Sequence, residues 1–377
     1  MPRTNAPMPA AFSLYLDALR FGAALLVVLT HYVQHDLVSV PVAAMLPIWG
    51  REAVMVFFVL SGFVIAYTTE TKAPSAQEYV VARCARIYSV ALPLLLATFA
   101  ASAIAMAWLD AQVSAFYAVW RAHLYIPFHL LFMGEMWTLA ETPPWMPQYW
   151  SLGYEVWYYV LFGCAYYLRG WWRYGVTAAV FMLLGPKLWL LLPVWLSGVA
   201  LYHGLKRVTI PPRVARAGLL LSLALLVAFH ATGAEHAWRP VARAWWPFPE
   251  MRMGSADRFL SDYVVCVLVV AHFACARFAG LRVPAVLVQP IRSLSAYTFT
   301  LYLVHELVIA CWRTFHGHDR DSTVHMLALT ALIAGGTWLA GQLTERRKHW
   351  FRKPFEALFN AGALLRGRLR SSHAPLR

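Results

Sequence analysis

Three ionisable residue types recur at helical spacing in "LDALRFGAALLVVLTHY" (16–32), where lipid-spanning sequence would ordinarily hold none. At 100° per residue, Asp17, Arg20 and His31 fall within about 60° of one another on a helix. A lone polar residue in a span is often a packing contact bonded to a backbone carbonyl, but three on one face suggest a shared task. His31 lies eleven residues beyond Arg20, about 16 Å along the axis at 1.5 Å per residue. With Arg20 in the inner leaflet, His31 reaches the outer half of the membrane. An imidazole can take a proton near neutral pH, which suits a general base.

Further along, "RCARIY" (83–88) sets Arg83 and Arg86 at i and i+3, so both point the same way. Anchoring at the cytoplasmic face would explain them. A clamp for an anion would too, because guanidinium forks match phosphate groups. In "YWSLGYEVWYY", interfacial aromatics account for Trp150 and Trp157, but not for Glu155, one turn into the membrane. That carboxylate needs a partner, and His31 or an arginine is the expected one. "SAYTFTLYLVHELVI" adds His305 with Glu306 beside it, and Tyr302 one turn earlier on nearly the same face.

These groups have to be positioned by helices. Of 377 residues, 60% are hydrophobic and 13% charged, about half the charge of an average soluble protein. Apolar residues come in long blocks, so the expected fold is all-α: a polytopic helical membrane bundle. No cleavable signal peptide is expected, because one apolar block follows the other without a small-residue cleavage site. Ten crossings are expected near 14–34, 52–69, 87–108, 150–168, 174–187, 188–204, 214–231, 259–279, 294–313 and 323–343. Gly185 and Pro186 break the stretch 174–204, which reads equally as one bent span or a re-entrant hairpin. The stretch 116–137 carries Arg121, His123, Pro127, His129 and Glu135, and is expected at the interface or in a cavity rather than across the bilayer.

With ten spans, the positive-inside rule places both termini in the cytoplasm and the outer loops at 35–51, 109–149, 232–258 and 314–322. Arg3, Lys72, Arg83, Arg86, Arg169, Arg173, Lys206, Arg207, Arg213, Arg282 and Arg292 then all lie inside. The tail from 345 carries eight cations in 345–370 and reads as a basic cytoplasmic segment, anchored to anionic lipid or lying in plane as a helix interrupted at Pro354. Two regions follow: a membrane domain over 1–344 and a tail over 345–377. Net charge is +14, which topology and lipid headgroups explain without nucleic acid. Five scattered cysteines show no metal-ligand spacing and read as reduced packing residues. No metal site is expected; His316, His318 and His325 read as solvated, and so does His35.

In this order, "LDALRFGAALLVVLTHY" (16–32), "FFVLSGFVIA" (57–66), "RCARIY" (83–88), "WSLGYE" (150–155) and "YTFTLYLVHE" (297–306) resemble the integral-membrane acyltransferase family 3, bacterial enzymes that O-acylate surface and secreted carbohydrates. The blocks are spread over about 290 residues. The resemblance implies that His31 is the histidine needed for acyl transfer and Arg20 the arginine before it. Arg83 and Arg86 correspond to the pair associated with the acyl donor, Glu155 to the acid of the Trp-Ser-Leu block, and His305 to the late histidine. Ala53, Val54 and Met55 stand where the family often has Gly-Val and a polar residue, and Tyr88 and Ser89 where it often has proline.

The expected activity is transfer of an acyl group, acetyl in the family's commonest case, from cytosolic acyl-CoA to a carbohydrate hydroxyl. No tightly bound cofactor is expected. His31 handles the proton, with Glu155 or Asp17 orienting it. Arg83, Arg86 and Arg20 serve the donor, and Trp150, Ser151, Tyr302 and His305 the substrates. The lipid bilayer of a bacterial inner membrane is the expected setting. The same charges could line a transporter or flippase pathway, though no internal repeat supports that, or belong to a non-catalytic subunit of polysaccharide assembly.

Overall fold

The computed structural model describes residues 8–109 and 116–371, with side chains as far as 361. Arg3, residues 110–115 of the expected second outer loop, and the last six residues of the tail lie outside the described residues. Among the described residues every regular element is helical.

The chain runs α1 (Ala10–Gln34), α2 (Val40–Ala43), α3 (Gly50–Lys72) and α4 (Ala76–Leu109), then two short helices, α5 (Phe116–Trp120) and α6 (Ala122–Leu130). Next come α7 (Tyr149–Tyr167), α8 (Gly170–Leu184), α9 (Pro186–Gly204), α10 (Pro212–Ala231) and α11 (Ala234–Ala244). The last five are α12 (Phe259–Phe278), α13 (Ala285–Ser295), α14 (Thr298–Cys311), α15 (Thr323–Leu343) and α16 (Lys348–Ser371).

Six helical stretches are long and apolar enough to cross a bilayer: α1, α3, α4, α10, α12, and α15 continued to Ala361. Two bent pairs, α8 with α9 at 119° and α13 with α14 at 53°, raise the number to eight at most. Six to eight such stretches do not confirm the expected ten. The halves of 174–204 form one bent pair. Gly185 holds φ at +82° and Pro186 opens α9, where its missing N–H costs nothing. α7, with six tyrosines, Ser151 and Glu155, is less apolar than these stretches; Tyr149, Ser151, Tyr154, Tyr158 and Tyr159 are buried and Glu155 lines a cavity.

α3 is the hub, packed on α1, α9 and α12. Its contact with α9 is a backbone-to-backbone crossing. A Cβ on Gly62 would sit 2.1 Å from the Trp195 carbonyl oxygen, and one on Gly198 1.9 Å from that of Val59. Within lipid, such close approach of small residues supplies the van der Waals contact that the hydrophobic effect cannot. α14 is seated between α1 and α15 by Val28, Tyr32, Leu301, Ile309, Leu329 and Ile333. That contact sets the register of His31 against His305 and Glu306.

α5 and α6 are too short to span, as the charges of 116–137 lead one to expect. The tail corrects one expectation: α16 is continuous through Pro354. It packs along α4, with the Tyr88 and Phe355 rings 5.5 Å apart.

Candidate active site

His31 sits in a cluster contributed by α1 and α14. Its Nδ1 lies 2.5 Å from Glu306 Oε1 and 2.8 Å from His305 Nε2, and the two imidazoles stack with centroids 5.0 Å apart. His305 and Glu306 are buried, whereas 16% of the His31 side chain remains exposed. One step fixes the protons. His305 Nδ1 lies 2.9 Å from the Leu301 carbonyl oxygen, which can only accept, so Nδ1 carries the proton and Nε2 offers a lone pair. Carboxylate and lone pair thus both face His31 Nδ1, which must donate. The remaining nitrogen of His31, Nε2, is left as an acceptor with no partner among the described residues.

His35, one turn on, donates from Nε2 to both oxygens of Glu306 at 3.1 Å, while Arg313 approaches its Nδ1 at 3.4 Å. It is a member of this cluster, which corrects the reading of His35 as solvated. His318 likewise donates to the Leu37 carbonyl and accepts from the Trp312 indole.

The atoms of His31, His305 and Glu306 lie within 4.8 Å of one another, close enough to be considered as metal ligands. A tetrahedral zinc with bonds of about 2.0 Å keeps its ligand atoms roughly 3.3 Å apart. The separations of 2.5 and 2.8 Å are those of a shared proton.

Beside this cluster lies a cavity of about 270 Å³, walled by α1, α3, α4, α7, α14 and the segment after α15. Arg20, Arg83, Arg86 and Lys348 supply its cations, and Glu155 and Glu345 its acids. Arg83 Nε is buried without a partner, and its guanidinium stands 5.9 Å over the Tyr159 ring. Ser61 binds Glu155 Oε1 at 2.7 Å and Tyr159 at 2.9 Å, and receives the Trp195 indole N–H at 3.1 Å. The Ser-Gly of "FFVLSGF" therefore has two functions: Ser61 holds the acid, and Gly62 admits α9. Ser151 and Tyr302 share a hydrogen bond of 2.6 Å in the cavity wall, and the Tyr302 ring lies 6.3 Å from His305. Two ring-to-ring steps connect the cavity to His31.

The expected residues therefore separate into two groups. Arg20, Arg83, Arg86, Glu155, Ser151 and Tyr302 line the cavity; His31 and His305 form the adjoining cluster. Trp150 stands outside the wall, under the Arg51 guanidinium at 4.9 Å, and Arg51 is itself paired with Asp262. Two positional expectations fail. Glu155 is bonded to Ser61 and Tyr159 rather than to His31. Asp17 pairs with Arg20 at 3.4 Å, and fourteen residues of helix put it about 21 Å from His31. The carboxylate at His31 is Glu306, signalled in sequence only as an acid inside an apolar helix.

The sequence model of a family described as "Acyltransferase domain" matches residues 13–341. The chain belongs to acyltransferase family 3. No curated protein and no solved structure matches it. Members of the family are integral-membrane acyltransferases, and the several apolar helices make this one a multi-pass membrane protein. The matched span holds all of the His31 cluster and every cavity residue except Glu345 and Lys348.

Next to Tyr154 of α7, which donates to Glu135, the segment before α7 closes against the α8–α9 break. Lys187, fully buried, faces Glu135 at 3.6 Å and donates to the Leu139 carbonyl. Burial pushes the Glu135 carboxyl up, against the pull of Lys187. In the same segment burial holds the His129 imidazole down at about 4, so it is a neutral packing group.

Proposed function

We propose that this acyltransferase moves an acyl group, acetyl foremost, from acyl-CoA to a hydroxyl of a cell-surface or secreted carbohydrate. The observation that carries the reading is the His31 cluster: an imidazole whose Nδ1 is committed to Glu306 and His305, leaving Nε2 as the acceptor, beside a cavity rich in guanidinium groups. Nε2 takes the proton of the acceptor hydroxyl as its oxygen attacks the thioester carbonyl. Glu306 stabilises the imidazolium that forms, as the acid of a base-orienter pair does. The C–S bond then breaks, and the departing thiolate takes that proton back. Arg83 and Arg86 hold donor phosphates, for which planar forks are suited.

The setting proposed is a bacterial inner membrane, with both termini and the cavity cations on the cytoplasmic side and His31 toward the outside. The membrane domain ends near 344 and the basic tail follows.

The test is release of free CoA from acyl-CoA plus acceptor by the purified protein. H31A should abolish release while the protein stays in the membrane; retained turnover would overturn the assignment. In cells, deletion of the gene should remove an acyl mass increment from a surface glycan. Transport without CoA release would favour the flippase reading.

A further inference from the structure

The family match ends at residue 341, yet the cavity wall continues past it. Glu345, in the turn between α15 and α16, and Lys348, the first residue of α16, line the same space as Arg83 and Arg86. α16 lies against α4, the helix that carries both arginines. Glu345 is tied to Thr300 at the start of α14 by a 3.0 Å hydrogen bond, which fixes the turn on the cavity. A segment read from sequence as a lipid anchor is thus part of the pocket.

Charge and exposure decide what Lys348 does there. Arg20 is answered by Asp17, and Glu155 is committed to Ser61 and Tyr159. Among the described residues, no carboxylate lies within 4.0 Å of Arg83, Arg86 or Lys348. Arg83, Arg86 and Lys348 thus make no contact ion pair, Arg83 keeps a buried unpartnered Nε, and the four cavity cations outnumber the two cavity acids, Glu155 and Glu345, an excess that suits a multiply charged anion. Of the four cavity cations Lys348 alone is exposed; the three arginines are half-buried. Lys348 therefore marks the solvent edge, and Tyr302, next to His305, the inner end.

We infer that Lys348 binds the 3′-phosphate of the CoA donor. This rests on the proposed reading of the protein as a CoA-dependent acyltransferase. CoA enters with its thioester toward His31, so its diphosphate follows at Arg83 and Arg86. The phosphate farthest from sulphur, on the ribose 3′ oxygen, is left at the edge. A flexible ammonium group at the rim suits a terminal phosphate, which presents charge in several directions. No covalent step involves Lys348, and it contributes to donor affinity and to selection of CoA over dephosphorylated analogues.

Binding of CoA and of 3′-dephospho-CoA to the full-length protein in detergent, followed by titration calorimetry, tests this without needing the acceptor. The unsubstituted protein should prefer CoA. K348A should weaken CoA binding about three- to tenfold, the size of one exposed charge-assisted contact, and leave 3′-dephospho-CoA unchanged. K348R should recover most of the loss. Equal weakening of both ligands, or of neither, overturns the assignment, the former pointing to a structural role or a diffuse field. If the expected pattern is found but no acyl group is transferred, the proposed function fails and the phosphate site stands. If the unsubstituted protein binds no CoA, both fall.

Discussion

A backbone carbonyl sets the proton inventory around His31. Leu301 fixes the tautomer of His305, which in turn makes His31 Nδ1 a donor and Nε2 an acceptor. Glu306 adds the negative charge that an imidazolium needs. E306Q retains the shape and an acceptor oxygen but not the charge. It should lower kcat for acyl transfer about 10²- to 10⁴-fold, the range for removing the charge from a base-orienting acid. KM for the acyl donor should stay within about twofold, since Glu306 does not line the cationic cavity proposed to hold it. A kcat near that of the unsubstituted protein would remove Glu306 from the chemistry. In the sequence His31 is conspicuous as a histidine in an apolar run, and Glu306 as an acid beside His305. Their pairing is not visible there. The two residues are separated by 275 positions, and which carboxylate meets His31 depends on the register of α1 against α14, which no local pattern encodes.

At the scale of elements, the α3–α9 crossing holds the cavity side of the site, because Ser61 and Gly62 are neighbours on α3. α3 carries Ser61 on one side, toward Glu155, and Gly62 on another, against the Trp195 backbone. An added methyl at Gly198 meets main chain at 1.9 Å, which no side-chain rotation can relieve. G198A should therefore separate the helices and destabilise the protein by about 1–3 kcal/mol or more, read as a lower midpoint of thermal unfolding in detergent. G22A, on α1 where a Cβ would meet nothing within 4 Å, is the control and should be neutral. A G198A midpoint equal to that of G22A would show that the crossing carries no strain. The helices themselves were legible from hydropathy, including the break at Gly185-Pro186 and the short helices of 116–137. The number of crossings was not. α7 has the length and aromatic content of a span, yet four of its tyrosines are buried and its glutamate lines a cavity, and apolar periodicity does not distinguish a polar interior from a polar surface.

Across the whole molecule, the separation of charge and base sets a direction. Arg20 and His31 lie on one helix about 16 Å apart, roughly half the hydrocarbon thickness of about 30 Å. The cations of the cavity and the imidazole therefore cannot occupy the same leaflet depth. On the proposed reading the donor's phosphates bind at one level and its thioester reacts at the other, and an extended, flexible donor arm fits the span between them. This arrangement requires the tail beyond α15 to lie on the donor's side and the α14–α15 connection on the other. Arg352 and Arg320 report on those two positions, with half-exposed side chains of 50% and 43%. R320C should react with a membrane-impermeant maleimide in intact cells. R352C should react only after permeabilisation or in inverted vesicles, each measured against the background of the five native cysteines. The α15 span between the two sites fixes opposite outcomes for them, and labelling of both from one side would contradict the crossing by α15. Reversed labelling would keep the fold but put the cationic cavity outside, where cytosolic acyl-CoA could not reach Arg83, Arg86 and Lys348, and the proposed donor would have to be abandoned.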